Sequence, residues 1–177
     1  MGRKPARQIP DPLIHMRDLV ELVSTVVGEY TALSAKKQIA FTFIRPDLPF
    51  PRLLFDSARL SLALHGVIDN AFRYTKDGGT ITVRVEKEAT HAVVTVEDTG
   101  IGIPRRQQER LFTKFFRAEN AVRMVPDGSG LGLFIVRNIV ERHGGTVGIA
   151  SEENVGTRMS FTLPFDKTTI PQREEVV

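Results

Sequence analysis

The chain has no cysteine and no tryptophan among its 177 residues. The first absence excludes disulfides and thiolate metal sites, and it fits a reducing compartment. Histidine-based metal chemistry is no better served, because His15, His65, His91 and His143 are scattered without ligand spacing. No uninterrupted apolar run approaches the roughly 20 residues of a membrane span, and the polar N-terminus has no signal-peptide core. A concentrated basic face is also missing. Net charge is +3 and, apart from Arg3, Lys4 and Arg7 and the group Arg105, Arg106 and Arg110, basic residues are interleaved with acidic ones. That pattern argues against nucleic acid as a partner.

The composition that remains is ordinary: 41% hydrophobic against 25% charged residues. A chain of this length can bury a substantial core as one domain. Residues 1–10 and 166–177 read as polar tails, leaving 11–165 as the folded body. Residues 14–16 fit a short edge strand. Leu19, Leu22, Val23, Val26 and Val27 recur at helical spacing, predicting one helix up to about Lys37. Residues 39–44 alternate as a strand, 46–51 form a connection, and 52–55 make another short strand.

A second helix is capped by Asp56 or Ser57 and carries Leu60, Leu64, Val67 and Ala71 on one face. Asp77-Gly78-Gly79 turns the chain into strands over 80–87 and 91–97, a hairpin expected in the middle of a sheet. A short helix over 105–112, a loop to about Ser129, a long helix ending at His143-Gly144-Gly145, and strands over 146–151 and 158–163 complete the order. Strands and helices do not alternate regularly, so a doubly wound parallel sheet is disfavoured. An α+β arrangement, one mixed sheet against helices, is expected.

Two glycine-rich segments are the strongest chemical signal. In Asp98-Thr99-Gly100-Ile101-Gly102-Ile103-Pro104, a carboxylate ends a strand and glycines let backbone approach a ligand. Asp98 there suits a base whose exocyclic amine needs an acceptor. The plainer alternative is a strand-terminating turn. In Gly128-Ser129-Gly130-Leu131-Gly132-Leu133, glycines open a helix, so backbone N–H groups and the positive helix end coincide where phosphate binds readily. The alternative is a hinge into a core helix. No Gly-Lys-Ser/Thr follows, so a P-loop is disfavoured.

Other residues gain meaning beside these. Asn70 is an amide within a good helix former, either a satisfied structural group or an oxygen ligand for Mg²⁺. Gly66, one turn earlier, costs about 1 kcal/mol relative to alanine in a helix interior and implies a close approach there, unless the helix simply tolerates it. Arg73 and Arg117 are either surface charges or contacts to a γ-phosphate. Leu111-Phe112 and Phe115-Phe116 are core anchors, or a hinge that packs or releases the intervening loop.

Together these segments resemble the catalytic, ATP-binding domain of sensor histidine kinases, within the superfamily that includes gyrase B, the large heat-shock chaperone and MutL. Asp69-Asn70-Ala71-Phe72-Arg73-Tyr74-Thr75 resembles the family's asparagine box, the Asp98 segment its first glycine box, and Leu111-Phe112-Thr113-Lys114-Phe115-Phe116-Arg117 its phenylalanine box. The Gly128 segment resembles the second glycine box, and Gly156-Thr157 the small-residue pair near the base. The resemblance runs from about Leu13 to Leu163. It implies a two-layer α/β sandwich of the Bergerat type, with a mixed, mainly antiparallel sheet, helices on one face and an ATP lid over residues 118–129.

By the same resemblance, Asn70 binds Mg²⁺, Arg73 and Arg117 meet phosphates and serve catalysis, and Tyr74 packs by the nucleotide. Asp98 anchors adenine in a loop that includes Gly100, Gly102 and Ile103. Gly128, Ser129, Gly130, Leu131, Gly132 and Leu133 cover the phosphates, and Thr157 lies beside the base. ATP and Mg²⁺ are the implied cofactors.

Two departures separate branches of the superfamily. Hydrolytic relatives carry a water-activating glutamate one turn before the metal-binding asparagine, and many histidine kinases a second asparagine. Here that place holds Gly66. The phosphoacceptor motif is absent as well, and His15 falls on the expected first strand. The expectation is therefore a catalytic part of a longer receptor, itself monomeric, that phosphorylates a histidine on a separate dimerisation domain and reaches a response regulator indirectly. It would act in the cytoplasm, as part of a sensor that can itself be membrane-bound. Competing expectations are a hydrolytic ATPase, disfavoured by Gly66, and a degenerate nucleotide-binding or scaffold module. Serine-directed anti-sigma kinases fit poorly because of the phenylalanine box and long lid.

Overall fold

The computed structural model describes residues 14–46 and 49–166. The expected tails, Asp166 apart, and part of the 46–51 connection lie outside the described residues.

Strand β1 (His15–Arg17) pairs antiparallel with β3 (Leu53–Phe55) in a small two-stranded sheet. The main sheet contains β2 (Ala40–Ile44), β4 (Thr80–Lys87), β5 (His91–Asp98), β6 (Val147–Glu152) and β7 (Gly156–Pro164). Its order is β2-β4-β5-β7-β6, with β2 parallel to β4 and every other pair antiparallel. The hairpin thus lies inside the sheet, and the fold is the α+β sandwich expected.

Alternation explains which side is covered. Ile81, Val83 and Val85 of β4, Ala92, Val94 and Val96 of β5, and Met159, Phe161 and Leu163 of β7 are buried in one core. The intervening residues of β4 include charged Arg84 and Glu86, and Arg158 and Glu97 form an ion pair at 2.9 Å across β7 and β5. Buried faces of α1 (Leu19–Glu29), α3 (Ser57–Tyr74) and α5 (Gly132–Arg142) join the same core.

Helix α3 carries the asparagine box, and both of its ends are tied down. Asp56 is the N-cap, its carboxylate accepting the Ala58 and Arg59 amides at 3.0 and 3.1 Å. The Asp56 amide donates to Nε2 of His143 at 3.0 Å. His143, only 3% exposed, is consequently an acceptor at Nε2, and its Nδ1–H donates to the Ile139 carbonyl at 2.7 Å. At the other end Lys37 donates to the carbonyls of Phe72 and Thr75, placing a cation at the negative helix terminus.

The single helix expected up to Lys37 is in fact two. It stops after Glu29 and resumes as α2 (Thr31–Lys37). Tyr30 is the reason: its ring is buried, stacks on Phe72 at 5.2 Å between centroids, and its hydroxyl donates to Asp69 at 2.6 Å. The chain turns at Tyr30, whose amide bonds back to Val27, and α2 has no fully buried residue of its own.

A second difference lies in the loop before Ser129, which contains a short helix, α4 (Glu119–Met124). The predicted helix over 105–112 is a 3-10 helix, Arg105–Arg110.

Candidate functional site

A cavity of about 270 Å³ opens between α3, the ends of β5 and β7, and the loop ahead of α5. Helical spacing sets its α3 wall, where Gly66, Asn70, Arg73 and Tyr74 all line it. Gly66 does mark a close approach: a methyl there would come within 2.9 Å of Val136 Cγ2 on α5. The α3 position ahead of Asn70 thus presents no side chain because α5 packs against it.

The opposite wall is sheet. Asp98 ends β5 directly across from Thr157 on β7, and both line the cavity. The Asp98 carboxylate accepts the Gly100 amide at 2.8 Å and a backbone N–H of Thr157. Burial pushes its carboxyl up to about 6, against the lowering effect of those two amides, and the neighbouring Glu97 charge adds to the rise. At neutral pH Asp98 is an ionised acceptor in a largely apolar surround of Val96, Ile149, Met159, Ile103 and Leu133. Such a slot suits a flat base with one amine presented to the carboxylate.

The first glycine segment is shaped by contact. Gly102 has φ +60°, and a Cβ there would lie 1.8 Å from the Glu152 carbonyl oxygen. Only glycine fits that position. Ile101 donates to the Tyr74 carbonyl at 3.1 Å, which ties this loop to the end of α3.

The second glycine segment leads into α5. Ser129 Oγ accepts the Leu131 amide at 3.3 Å, and Gly128, Ser129, Gly130, Gly132 and Leu133 face the cavity. Gly130, at φ +68°, lies against the Phe115 backbone and accepts the Phe115 amide at 3.1 Å. That bond closes the neck of the loop. Phe115 is itself at φ +64° and 72% exposed, whereas Phe116 lines the cavity beneath the Arg110 guanidinium, 4.5 Å from its ring.

Arg73 and Arg117 both reach the cavity wall. Arg73 makes one marginal contact, to the Asp127 carbonyl at 3.5 Å. Arg117 donates to the carbonyls of Pro126 at 2.6 Å, Ala121 at 3.4 Å and Val125.

Of the residues assigned to the nucleotide and metal site from the sequence, all but Gly100 and Leu131 line the cavity, and of the phenylalanine-box pairs Leu111 and Phe116 line it while Phe112 and Phe115 do not. Gly100 is buried and supports Asp98 through its amide; Leu131 is the N-cap position of α5. The apolar walls Val96, Ile149 and Met159 were not singled out. Strand alternation could have found two of them, since Val96 precedes Asp98 by two residues and Met159 follows Thr157 by two.

Mg²⁺ would meet few protein ligands, because no group of three or more acidic or histidine side chains among the described residues is arranged to hold an ion. Asn70 lines the cavity, and its amide has no hydrogen-bond partner among the described residues. One oxygen of this kind fits a hard cation that keeps waters and phosphate oxygens as its other ligands.

Residues 55–167 match the family described as histidine kinase-, DNA gyrase B-, and HSP90-like ATPase. The chain is 31% identical over 149 residues to the sensor histidine kinase WalK of Bacillus subtilis, covering 83% of this chain and 24% of WalK. It is 44% identical over 103 residues to the sensor protein IrlS of Burkholderia pseudomallei, covering 58% of this chain and 22% of IrlS. The chain thus spans about a quarter of WalK and of IrlS, and well under two thirds of the other similar curated relatives. Among solved structures, the catalytic domain of histidine kinase ThkA superposes with a TM-score of 0.76 at 29% identity, covering 88% of this chain and 98% of that one. Full-length ShkA in complex with AMPPNP gives 0.75 at 26% identity, covering 90% and 32%. With the matched segment spanning most of the described chain and the sandwich, cavity and glycine loops in place, this protein belongs to the histidine kinase-, DNA gyrase B- and HSP90-like ATPase family.

Proposed function

We propose that this domain binds Mg-ATP in the cavity and donates the γ-phosphate to a histidine on a separate helical domain. The observation that favours a donor over a hydrolase is Gly66. One turn before Asn70 the helix offers no carboxylate to activate water, and Val136 lies where a side chain would begin. The names of the relatives support the same reading: WalK is a sensor histidine kinase, and ThkA has been solved in complex with the response regulator TrrA.

In this reading Asp98 accepts the exocyclic amine of adenine, and Tyr74 and Thr157 lie beside the base. The glycine segment from Gly128 to Leu133 offers backbone N–H groups to the phosphates, and Arg73 and Arg117 add positive charge at that end. When bound at the Asn70 oxygen, Mg²⁺ supplies further charge neutralisation on the phosphates. The acceptor imidazole nitrogen forms the new bond to the γ-phosphorus as the bond to the bridging oxygen breaks and ADP leaves. The imidazole proton passes to a base on the acceptor domain, so this chain needs none. The partners are that acceptor domain and, through it, a response regulator. The domain acts as a monomer on the cytoplasmic side, where ATP is available. Among the described residues no helix is long and apolar enough to cross a membrane.

Incubation with γ-labelled ATP and a helical acceptor domain tests the proposal. Label should appear on the acceptor histidine and vanish with Asn70→Ala. Sustained release of free phosphate by the chain alone, lost in the same variant, would instead establish a hydrolase.

A further inference from the structure

Arg117 stands apart from the other charged residues of the cavity because of what it touches. Its Nη1 donates to Pro126 and its Nη2 to Ala121 and Val125, so one guanidinium serves three carbonyls of the loop that follows it. Two of those carbonyls belong to Ala121, in the middle of α4, and to its C-cap, Val125. The flat face of the guanidinium lies against Gly128, where an added methyl would come within 2.9 Å of Cζ.

Helix α4 has six residues, too few to be stable alone in water. It is held at both ends by groups outside it. The Glu119 amide donates to Gln107 Oε1 at 3.0 Å at its start, and Arg117 caps its end with a cation. Asn120 adds a tie to the base-side loop, donating to the Gly102 carbonyl at 2.9 Å. Without Arg117, the Val125 and Pro126 carbonyls would lose their donor where the loop turns back toward Gly128, and the Ala121 carbonyl would keep only the Val125 amide, at 3.0 Å.

We infer that Arg117 is a positioning residue that builds the lid from within, and that Arg73 is the arginine whose charge meets the phosphates directly. Arg117 then acts on the nucleotide through the placement of Gly128, Ser129 and Gly130. A lysine cannot substitute, because a point-charge ammonium does not reproduce the planar fork that spans these carbonyls. The effect on nucleotide rests on the ATP-binding reading above; the effect on the lid does not.

The test uses the full chain and the variants Arg117→Ala and Arg117→Lys. Without nucleotide, trypsin cleavage after exposed Arg123, and hydrogen exchange of the Val122 and Val125 amides, should both quicken about tenfold or more in each variant, roughly the loss of one bond from a charged donor. Exchange at Val83 and Val94 in the sheet should stay as in the parent. Calorimetry should show ATP weakened in both variants and adenosine, which has no phosphate, unchanged.

Parent-like lid cleavage and exchange in both variants, with ATP weakened only in Arg117→Ala and restored by Arg117→Lys, would overturn the inference in favour of a direct phosphate contact. Sheet amides losing protection along with the lid would overturn it in favour of a general structural role. If the parent chain bound no ATP at all, the proposed function would fail while the lid measurements still decided this point.

Discussion

Asp98 and Arg117 belong to the same cavity but to different kinds of structure. Asp98 ends a strand paired on both sides, with β4 and β7, and is fixed by amides of Gly100 and Thr157. Arg117 sits at the root of a loop whose Val122, Arg123, Met124, Pro126 and Asp127 are all exposed, and polar contacts give that loop much of its shape. In the proposed function, recognition of the base is built into the core, so it shares the stability of the fold. Contact with the phosphates, in the same proposal, falls to a segment with few buried neighbours, which can open at far lower free energy.

The sharpest way to break this contrast is to truncate one apolar residue in each region. Leu64, fully buried on α3, should cost about 2–5 kcal/mol of unfolding free energy as Leu64→Ala, whereas Val122→Ala in the lid should stay within about 0.5 kcal/mol. Urea unfolding of both variants measures the difference, and comparable losses would mean that the lid is part of the core.

Next in size is Asp98, the proposed adenine anchor. Asp98→Asn should weaken ATP by about 1.5–3 kcal/mol in calorimetry through loss of a charge-assisted bond, with lid exchange unaltered. The same change should slightly raise the melting temperature. The folded state holds the Asp98 proton more tightly than the unfolded chain does, so the ionised carboxylate is a destabilising group above about pH 6. Its unfavourable contribution declines as pH falls from about 6 toward the ordinary carboxylate value of 3.8. ATP affinity should move the other way, dropping as Asp98 protonates below about pH 6. Affinity that is flat across that range would remove Asp98 from the adenine contact.

The smallest effect expected is at the lid surface. Arg106 and Glu119 are 2.8 Å apart but largely exposed, so Glu119→Ala should change unfolding free energy by less than about 1 kcal/mol. A larger loss by urea titration would show that the lid's polar contacts carry stability as well as shape.

The two regions also differ in how far they could be read from the sequence. The α3 stripe, the central hairpin and both glycine segments were legible because each rests on local rules: 3.6-residue or alternating periodicity, a capping aspartate, glycines at sites of close approach. The break at Tyr30 was not, since nothing nearby in sequence says that its ring must turn inward to Phe72 and its hydroxyl reach Asp69. Helix α4 was missed for a related reason. It lacks an apolar stripe of its own and exists through Gln107 and Arg117, contacts that no periodicity encodes. The parallel pairing of β2 with β4 likewise joins strands separated by α3, a choice fixed by the layer rather than by either strand.

The hydrogen bond from Phe115 to Gly130 has a consequence for the lid's length. The chain leaves and re-enters the body at this one crossing, so the intervening residues form a closed loop whose ends stay together however long it is. Doubling such a loop adds only about 0.6 kcal/mol of closure entropy. Residues inserted between Val125 and Gly128 would therefore leave sheet, helices and base slot untouched while changing how far the lid reaches over a nucleotide. In this architecture lid length is free to vary without endangering the fold.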